Sequence, residues 1–301
     1  MLPTETVLET LLRAGAAVPN SCRAGACQSC LLRATNGEVP LAAQSGLKPS
    51  LKEQGYFLSC VCRPEQNLAV AFPGAGVRTA VRLVETGWLS ENVLRVLLET
   101  GEPLNHRAGQ YLTLFRPDGL GRSYSIASLP ESPQIELHVR IISNGEMSTW
   151  LTNAEPGTEL AAQGPAGNCF YTKGTADQQM LLAGTGTGLA PLYGIVRDAL
   201  SAGHNGPIWL YHGALDASGL YLQEELKQLD SDHPQFHYKP TLLNEHGPLP
   251  QVLTTDHAKL NGWRGFVCGD PAIVNQLKKR LFLAGMASRD IYSDAFIPTC
   301  T

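Results

Sequence analysis

Cys22-Arg23-Ala24-Gly25-Ala26-Cys27-Gln28-Ser29-Cys30 sets three thiols on one short stretch, and Leu58-Ser59-Cys60-Val61-Cys62 brings two more. From Cys22 to Cys60 the spacing is C-x4-C-x2-C-x29-C. Two irons bridged by two sulfides need four thiolates, and a C-x4-C-x2-C opening is one spacing that supplies them. Gly25 and the alanines beside it let backbone N–H groups approach the sulfurs, and hydrogen bonds to sulfur raise a cluster's reduction potential. Cys22, Cys27, Cys30 and Cys60 are therefore the expected metal ligands of a [2Fe–2S] cluster. Cys62 is a small buried residue or an alternative ligand. Zinc fits less well, because structural zinc favours paired C-x2-C knuckles or Cys/His sets. Here a single C-x2-C is present and the first histidine is His106. A disulfide framework belongs to secreted chains, and Met1-Leu-Pro-Thr-Glu lacks the basic and apolar regions of a secretory leader.

The whole chain bounds the remaining possibilities. Its 301 residues point to two or three domains. A 43% hydrophobic and 17% charged composition is that of a globular protein with a sizeable core. A net charge of −4 carries no basic footprint for nucleic acid. No apolar run approaches the length of a membrane span, so no membrane association is expected. Eight cysteines, four of them assigned to metal, imply a reducing compartment, with the cytoplasm the natural one. A monomer is expected.

Taken in order, Thr6 to Ala14 carries Val7, Leu8, Leu11 and Leu12 at helical spacing, and Gly15 is a plausible stop. After the cysteine loop, Leu31 to Thr35 reads as a strand turning at Asn36-Gly37, and Gln66 to Phe72 as a second. Pro73-Gly-Ala-Gly76 is a turn-rich linker, which places the first domain at 1–75. Short alternating strands follow at Thr79–Glu85, Val93–Glu99, Tyr111–Phe115, Arg122–Ala127 and Glu136–Ile142. That spacing predicts a small antiparallel β-barrel over 76–174. From about Gln178 the rhythm becomes strand, glycine loop, helix, which predicts a doubly wound α/β domain with a parallel sheet over 175–301.

Three groups of residues carry binding chemistry. Arg122-Ser123-Tyr124-Ser125 combines a guanidinium fork suited to phosphate, an aromatic face and a hydroxyl. Gly145-Glu-Met147-Ser148 opens a helix, where unpaired N–H groups favour an anion. Asn144 before it is a residue that tolerates φ > 0, and Ser148 is expected to cap the helix. Gly186-Thr187-Gly188-Leu-Ala-Pro191 follows an apolar strand and opens another helix, so that its glycines admit a pyrophosphate to the backbone. Cys268-Gly269-Asp-Pro ends a late strand, and Tyr292-Ser-Asp294-Ala-Phe296 lies near the end of the sequence. His204, His212, His233, His237, His246 and His257 form no such group.

These motifs together resemble the fused reductase components of bacterial oxygenases. Arg23, Gly25 and the cysteines resemble a plant-type ferredoxin of β-grasp fold. Gln28 stands where most have Gly. That family's usual leading hairpin is expected to be missing, or the start to be late, because the likeness begins at the helix before the cluster. Arg122–Ser125, Gly145–Leu151 and Gly164-Pro-Ala-Gly167 resemble the FAD barrel of the ferredoxin–NADP reductase superfamily, with FMN the alternative. Gly186–Pro191, Cys268-Gly-Asp-Pro271 and the Tyr292–Phe296 stretch resemble its nicotinamide domain. The resemblance implies that Tyr124 and Ser125 face the flavin, Ser125 near N5. It puts Cys268 beside the nicotinamide and Phe296 over the free flavin face. It assigns Arg122, Ser123, Gly145, Met147, Ser148, Gly186, Thr187, Gly188, Pro191 and Gly269 to cofactor binding. Leu215 stands where many relatives have Arg, and Asp216 is positioned to accept from a ribose hydroxyl, which favours NADH. The implied activity is hydride transfer from NADH to FAD, then single electrons through the cluster to an acceptor redox protein such as a Rieske or di-iron oxygenase. A deoxysugar-biosynthesis reductase and a redox-sensing protein are the alternatives.

Overall fold

The computed structural model describes residues 5–20, 23–25, 28, 30–72, 78–101, 104–174 and 176–296. Cys22, Cys27 and the linker 73–76 lie outside the described residues. Contacts group the chain into two compact units, Met1–Gly76 and Val77–Thr301.

The first unit opens with helix α1, Val7–Arg13, fixed at its start by a capping box. The Glu9 amide donates to Thr6 Oγ1 at 3.3 Å, and the Thr6 amide donates to Glu9 Oε2 at 2.8 Å. Such a cap contributes about 1 kcal/mol. Gly15 takes φ +83° just after the helix, the left-handed turn that glycine adopts without strain. Strands β1 (Leu31–Asn36), β2 (Tyr56–Leu58) and β3 (Ala69–Ala71) form a sheet in the order β2-β1-β3, and helix α2 (Pro49–Glu53) precedes β2. Leu8, Leu32, Phe57 and Leu58 fill its core.

The second unit has two lobes. Strands β4 (Thr79–Ser90), β5 (Val93–Thr100), β6 (Tyr111–Phe115), β7 (Gly121–Ser125), β8 (Ile135–Arg140) and β9 (Glu159–Ala166) make one antiparallel sheet, ordered β7-β6-β9-β4-β5-β8. Its two edge strands meet through the antiparallel bridge Ile126↔Leu137, with the Ala127 amide donating to the Glu136 carbonyl at 2.9 Å. The sheet therefore closes on itself as the expected barrel, and closure removes the edges that would otherwise pair with another chain. Leu83, Val96, Leu98, Leu112, Leu114, Ile126 and Leu137 pack inside it. Helix α3, Glu146–Thr152, packs Met147 and Leu151 onto this core.

The other lobe has five parallel strands. They are β10 (Met180–Thr185), β11 (Ile208–Ala214), β12 (Phe236–Leu242), β13 (Arg264–Gly269) and β14 (Ile291–Ala295), ordered β12-β11-β10-β13-β14. Successive strand residues point to opposite faces. Leu182, Leu210 and Phe266 accordingly pack on one side with helices α4 (Leu189–Ser201) and α5 (Gln223–Asp232). Leu181, Tyr211 and Val267 pack on the other side with α7 (Leu249–Asp256) and α8 (Pro271–Leu283), after the short α6 (Leu243–His246). The lobe is doubly wound, as expected. The strand order reverses between β10 and β13, and in such sheets ligands bind at the carboxyl ends beside that reversal.

Polar ties join the two lobes. His138 on β8 bonds the Tyr221 hydroxyl at 3.1 Å, and Arg107 lies 3.6 Å from Asp198 on α4.

Candidate functional site

In the first unit, antiparallel pairing of Leu31 with Leu58 draws the ends of β1 and β2 together. Cys30 precedes one strand and Cys60 follows the other. The Ser59 hydroxyl donates to the Cys30 carbonyl at 2.8 Å, which fixes the two segments side by side. Both thiols are buried. In the cysteine loop the described residues Arg23 (φ 52°), Gly25 (φ 75°) and Gln28 (φ 59°) take left-handed backbone. A side chain on Gly25 would meet Val61 Cγ1 at 3.5 Å, so this loop lies over the segment that carries Cys60. Two buried thiols brought side by side fit half of a four-thiolate cage, whose other ligands would be Cys22 and Cys27. Cys62 is fully buried, and burial pushes its thiol up to about 11, as suits a packing residue.

In the barrel, β7 carries the Arg122–Ser125 motif. Arg122 is half-buried, with Nη1 donating to the Gly121 carbonyl at 2.8 Å. Ser123 is exposed and shares a hydrogen bond with Thr113 at 2.9 Å. Tyr124 pairs with Leu112 and leans on the barrel core, and desolvation pushes its phenol well above the ordinary range. Ser125 pairs with Tyr111 instead, so Tyr124 and Ser125 leave the strand on opposite faces. The Ser125 hydroxyl donates to Asp294 Oδ2 at 3.0 Å, reaching from the barrel to β14 of the other lobe. Burial raises the Asp294 carboxyl above its ordinary value, and the Ser125 bond partly opposes that.

At α3 two expectations change. Ser148 does not cap the helix: the cap position is Gly145, and Ser148 sits inside the first turn. Its hydroxyl therefore looks back, donating to the Gly145 carbonyl at 3.1 Å and accepting from the Ile142 amide at 3.3 Å. It braces the loop before the helix. Met147 is 2% exposed within the barrel core, so only its backbone is placed to meet a ligand. Asn144 takes φ 63°, in the left-handed region expected of it. Arg116 Nη1 donates to the Glu146 carbonyl at 3.3 Å, while its Nε and Nη2 pair with the Asp118 carboxylate. The sequence reading did not single it out, because nothing marks an Arg after a strand.

The glycine loop lies at the carboxyl end of β10, and its two glycines differ in role. A Cβ on Gly188 would collide with the Cys268 carbonyl and lie 3.0 Å from Gly269 Cα. Gly188 thus lets the β10 and β13 loops pack against each other. Gly186, at φ +53°, has open space: within 4 Å its Cβ would meet only Arg140 Nη1, at 3.9 Å, among the described residues. Gly186 is the position where a phosphate could approach, with Arg140 at the end of β8 facing it. Arg140 carries no motif and was not legible in the sequence. Thr187 is half-buried, while Pro191 is buried in α4.

Cys268 is fully buried, and burial followed by contact with Cys169 raises its thiol well above the ordinary range. Gly269 takes φ +118°, and its carbonyl accepts the Phe296 amide at 2.9 Å. Phe296 is half-buried there. Asp216 is exposed and already engaged: its Oδ1 accepts from the Ser218 amide at 3.0 Å and hydroxyl at 2.6 Å, which lowers its pKa. Leu215 beside it is 60% exposed.

Comparison with known proteins matches three domain families in the same order. The 2Fe-2S iron-sulfur cluster binding domain matches residues 2–65, the oxidoreductase FAD-binding domain residues 80–171, and the oxidoreductase NAD-binding domain residues 181–279. The ferredoxin–NAD(P)+ reductase component of a naphthalene 1,2-dioxygenase system from Pseudomonas putida is 32% identical, over 97% of this chain and 93% of that one. The reductase subunit of an aromatic O-demethylase from Amycolatopsis is 33% identical, over 98% and 95%. Among solved structures, a cytochrome P450 reductase from Amycolatopsis superposes with a TM-score of 0.68 at 29% identity, covering 98% of this chain and 95% of that one.

Proposed function

The chain belongs to the family of reductase components that join a [2Fe–2S] domain to FAD- and NAD-binding oxidoreductase domains, and we propose that it delivers electrons from NADH to a separate oxygenase protein. The carrying observation is the 3.0 Å bond from Ser125 to Asp294. It brings the strand with the flavin motif to β14, which pairs with β13 beside the reversal point of the parallel sheet.

When bound, the cofactors supply the redox chemistry: two electrons pass from nicotinamide to flavin, and single electrons onward through the cluster. The protein's residues orient and exclude. Arg122 has a guanidinium fork for the flavin pyrophosphate, backed by the Ser148-braced turn. Ser125, its proton given to Asp294, would offer its oxygen to the flavin as an acceptor. Arg140 and the Gly186 turn receive the nicotinamide cofactor's pyrophosphate. Phe296, half-buried, would border the space where the two rings meet, and the fully buried Cys268 would support that space from behind. Cys30 and Cys60, with Cys22 and Cys27, hold the cluster.

Anaerobic titration with NADH tests this reading. The purified protein should contain one FAD and one two-iron cluster per chain, and both should bleach. A preparation that holds flavin yet never acquires iron when made anaerobically would overturn the cluster. Specificity follows from Leu215 and Asp216. Leu215, 60% exposed, offers no charge to a 2′-phosphate, and the exposed Asp216 carboxylate repels one. NADH should exceed NADPH by at least tenfold in kcat/KM, about 1.4 kcal/mol. Leu215→Arg should narrow that gap, and equal use of the two cofactors by the unmutated protein would refute it.

A further inference from the structure

Cys169 leaves the barrel just after β9, and Cys268 lies near the end of β13, yet their sulfurs stand 3.6 Å apart. Both thiols are reduced and buried, at 2% and 0% exposure. The pair joins the two lobes at the position the proposed function gives to the nicotinamide. Electron transfer needs no second thiol there, and no other cysteine is in reach among the described residues of this unit. Two sulfurs in van der Waals contact need only a small further approach, to about 2.05 Å, to bond. The proposed function also supplies a source of oxidant. Asp294 pairs with Cys268 across β13–β14 and bonds Ser125 on the flavin strand, and reduced flavins exposed to dioxygen release hydrogen peroxide.

We propose that Cys169 and Cys268 are a modification site, an oxidisable dithiol whose disulfide stops the use of nicotinamide. Peroxide is the oxidant. Cys268 is the more enclosed of the two, so Cys169 is the sulfur that attacks when the seam opens locally: it gives up its proton and attacks a peroxide oxygen, the O–O bond breaks, water leaves and a sulfenic acid forms. The second sulfur displaces the hydroxyl as another water. Two S–H bonds are lost, one S–S bond is made, and peroxide takes the two electrons and two protons. The new bond draws the Cys268 sulfur toward Cys169 and staples the two lobes together. A thiol reductant reverses it.

The inference rests on the proposed function for its effect on rate, so its test has a readout that does not. The holoenzyme is treated with hydrogen peroxide, excess oxidant is removed, and free thiols are blocked. Peptides are then mapped by mass spectrometry without reduction. A cross-linked peptide joining residues 169 and 268 is expected. NADH–ferricyanide activity, which bypasses the cluster, should fall at least fivefold and return with dithiothreitol. Cys169→Ala and Cys169→Ser should keep their starting activity and lose the reversible inhibition. Failure to find the 169–268 peptide overturns the proposal, as does a cross-link without loss of rate, or equal reversible loss in both variants. If reduced protein turns over no NADH, the functional reading fails, while the peptide still reports on the dithiol.

Discussion

Ser125 and Asp294 show how much one hydrogen bond can specify. The hydroxyl is buried, donates to a carboxylate from another lobe, and is fixed in direction by it. Ser125→Ala removes that oriented hydroxyl, so flavin reduction by NADH should slow by roughly tenfold, about 1.4 kcal/mol of barrier. Stopped-flow reduction at the unmutated rate would count against the assignment. The carboxylate itself is a stability liability. Its pKa is raised by burial, so the folded state binds the proton more tightly than the unfolded chain does. The ionised form therefore costs stability above the raised pKa, and the cost fades as pH falls through that value toward the ordinary carboxylate range. Asp294→Asn keeps an acceptor for Ser125 and removes the charge. Its melting temperature should exceed that of the unmutated protein at about pH 8, with a smaller gain at about pH 5. A gain that grows with acidity would contradict the burial argument.

Among elements, the β10 and β13 loops separate what sequence shows from what it hides. The Gly186–Pro191 motif announced a strand, a tight turn and a helix, and those are present. It did not announce that Gly188 serves the neighbouring loop and Gly186 the open side, because that division depends on a strand about eighty residues later in the sequence. Gly188→Ala must push the Cys268 carbonyl away, a misfit of about 1–3 kcal/mol. It should lower the melting temperature and weaken NADH binding together. Gly186→Ala has room for the methyl but is strained at its φ of +53°, so it should lower the melting temperature less than Gly188→Ala does and still weaken NADH binding through the lost approach. Melting curves beside NADH titrations check the pair, and the reverse pattern would exchange their roles. The same limit explains α3. Its sequence reads as a helix with a serine near the start, but whether Ser148 caps the helix or braces the loop turns on a one-turn shift of the boundary. β14 has few apolar residues to mark it and exists because β13 offers a parallel partner.

At the scale of the molecule, short-period patterns were enough to separate an antiparallel lobe from a parallel one, since each period dictates which faces are buried. The bridge that closes the barrel, Ile126 to Leu137, left no mark in the sequence, and neither did the ties that make the flavin and nicotinamide lobes one unit. The cysteine-bearing unit has a core of its own. Cys60→Ser should therefore remove the cluster and cytochrome c reduction while NADH–ferricyanide turnover persists. Iron and sulfide analysis beside the two rates checks it, and loss of both rates would tie the units energetically. The Ser125–Asp294 bond also has a history on the ribosome. All six barrel strands are made before the 123 residues from Thr172 to Asp294. At about 5–20 residues per second, that is roughly 6–25 s of elongation. Throughout that interval the nascent protein carries its flavin motif with Ser125 still lacking the acid that will aim it, so flavin captured during synthesis meets an unfinished pocket.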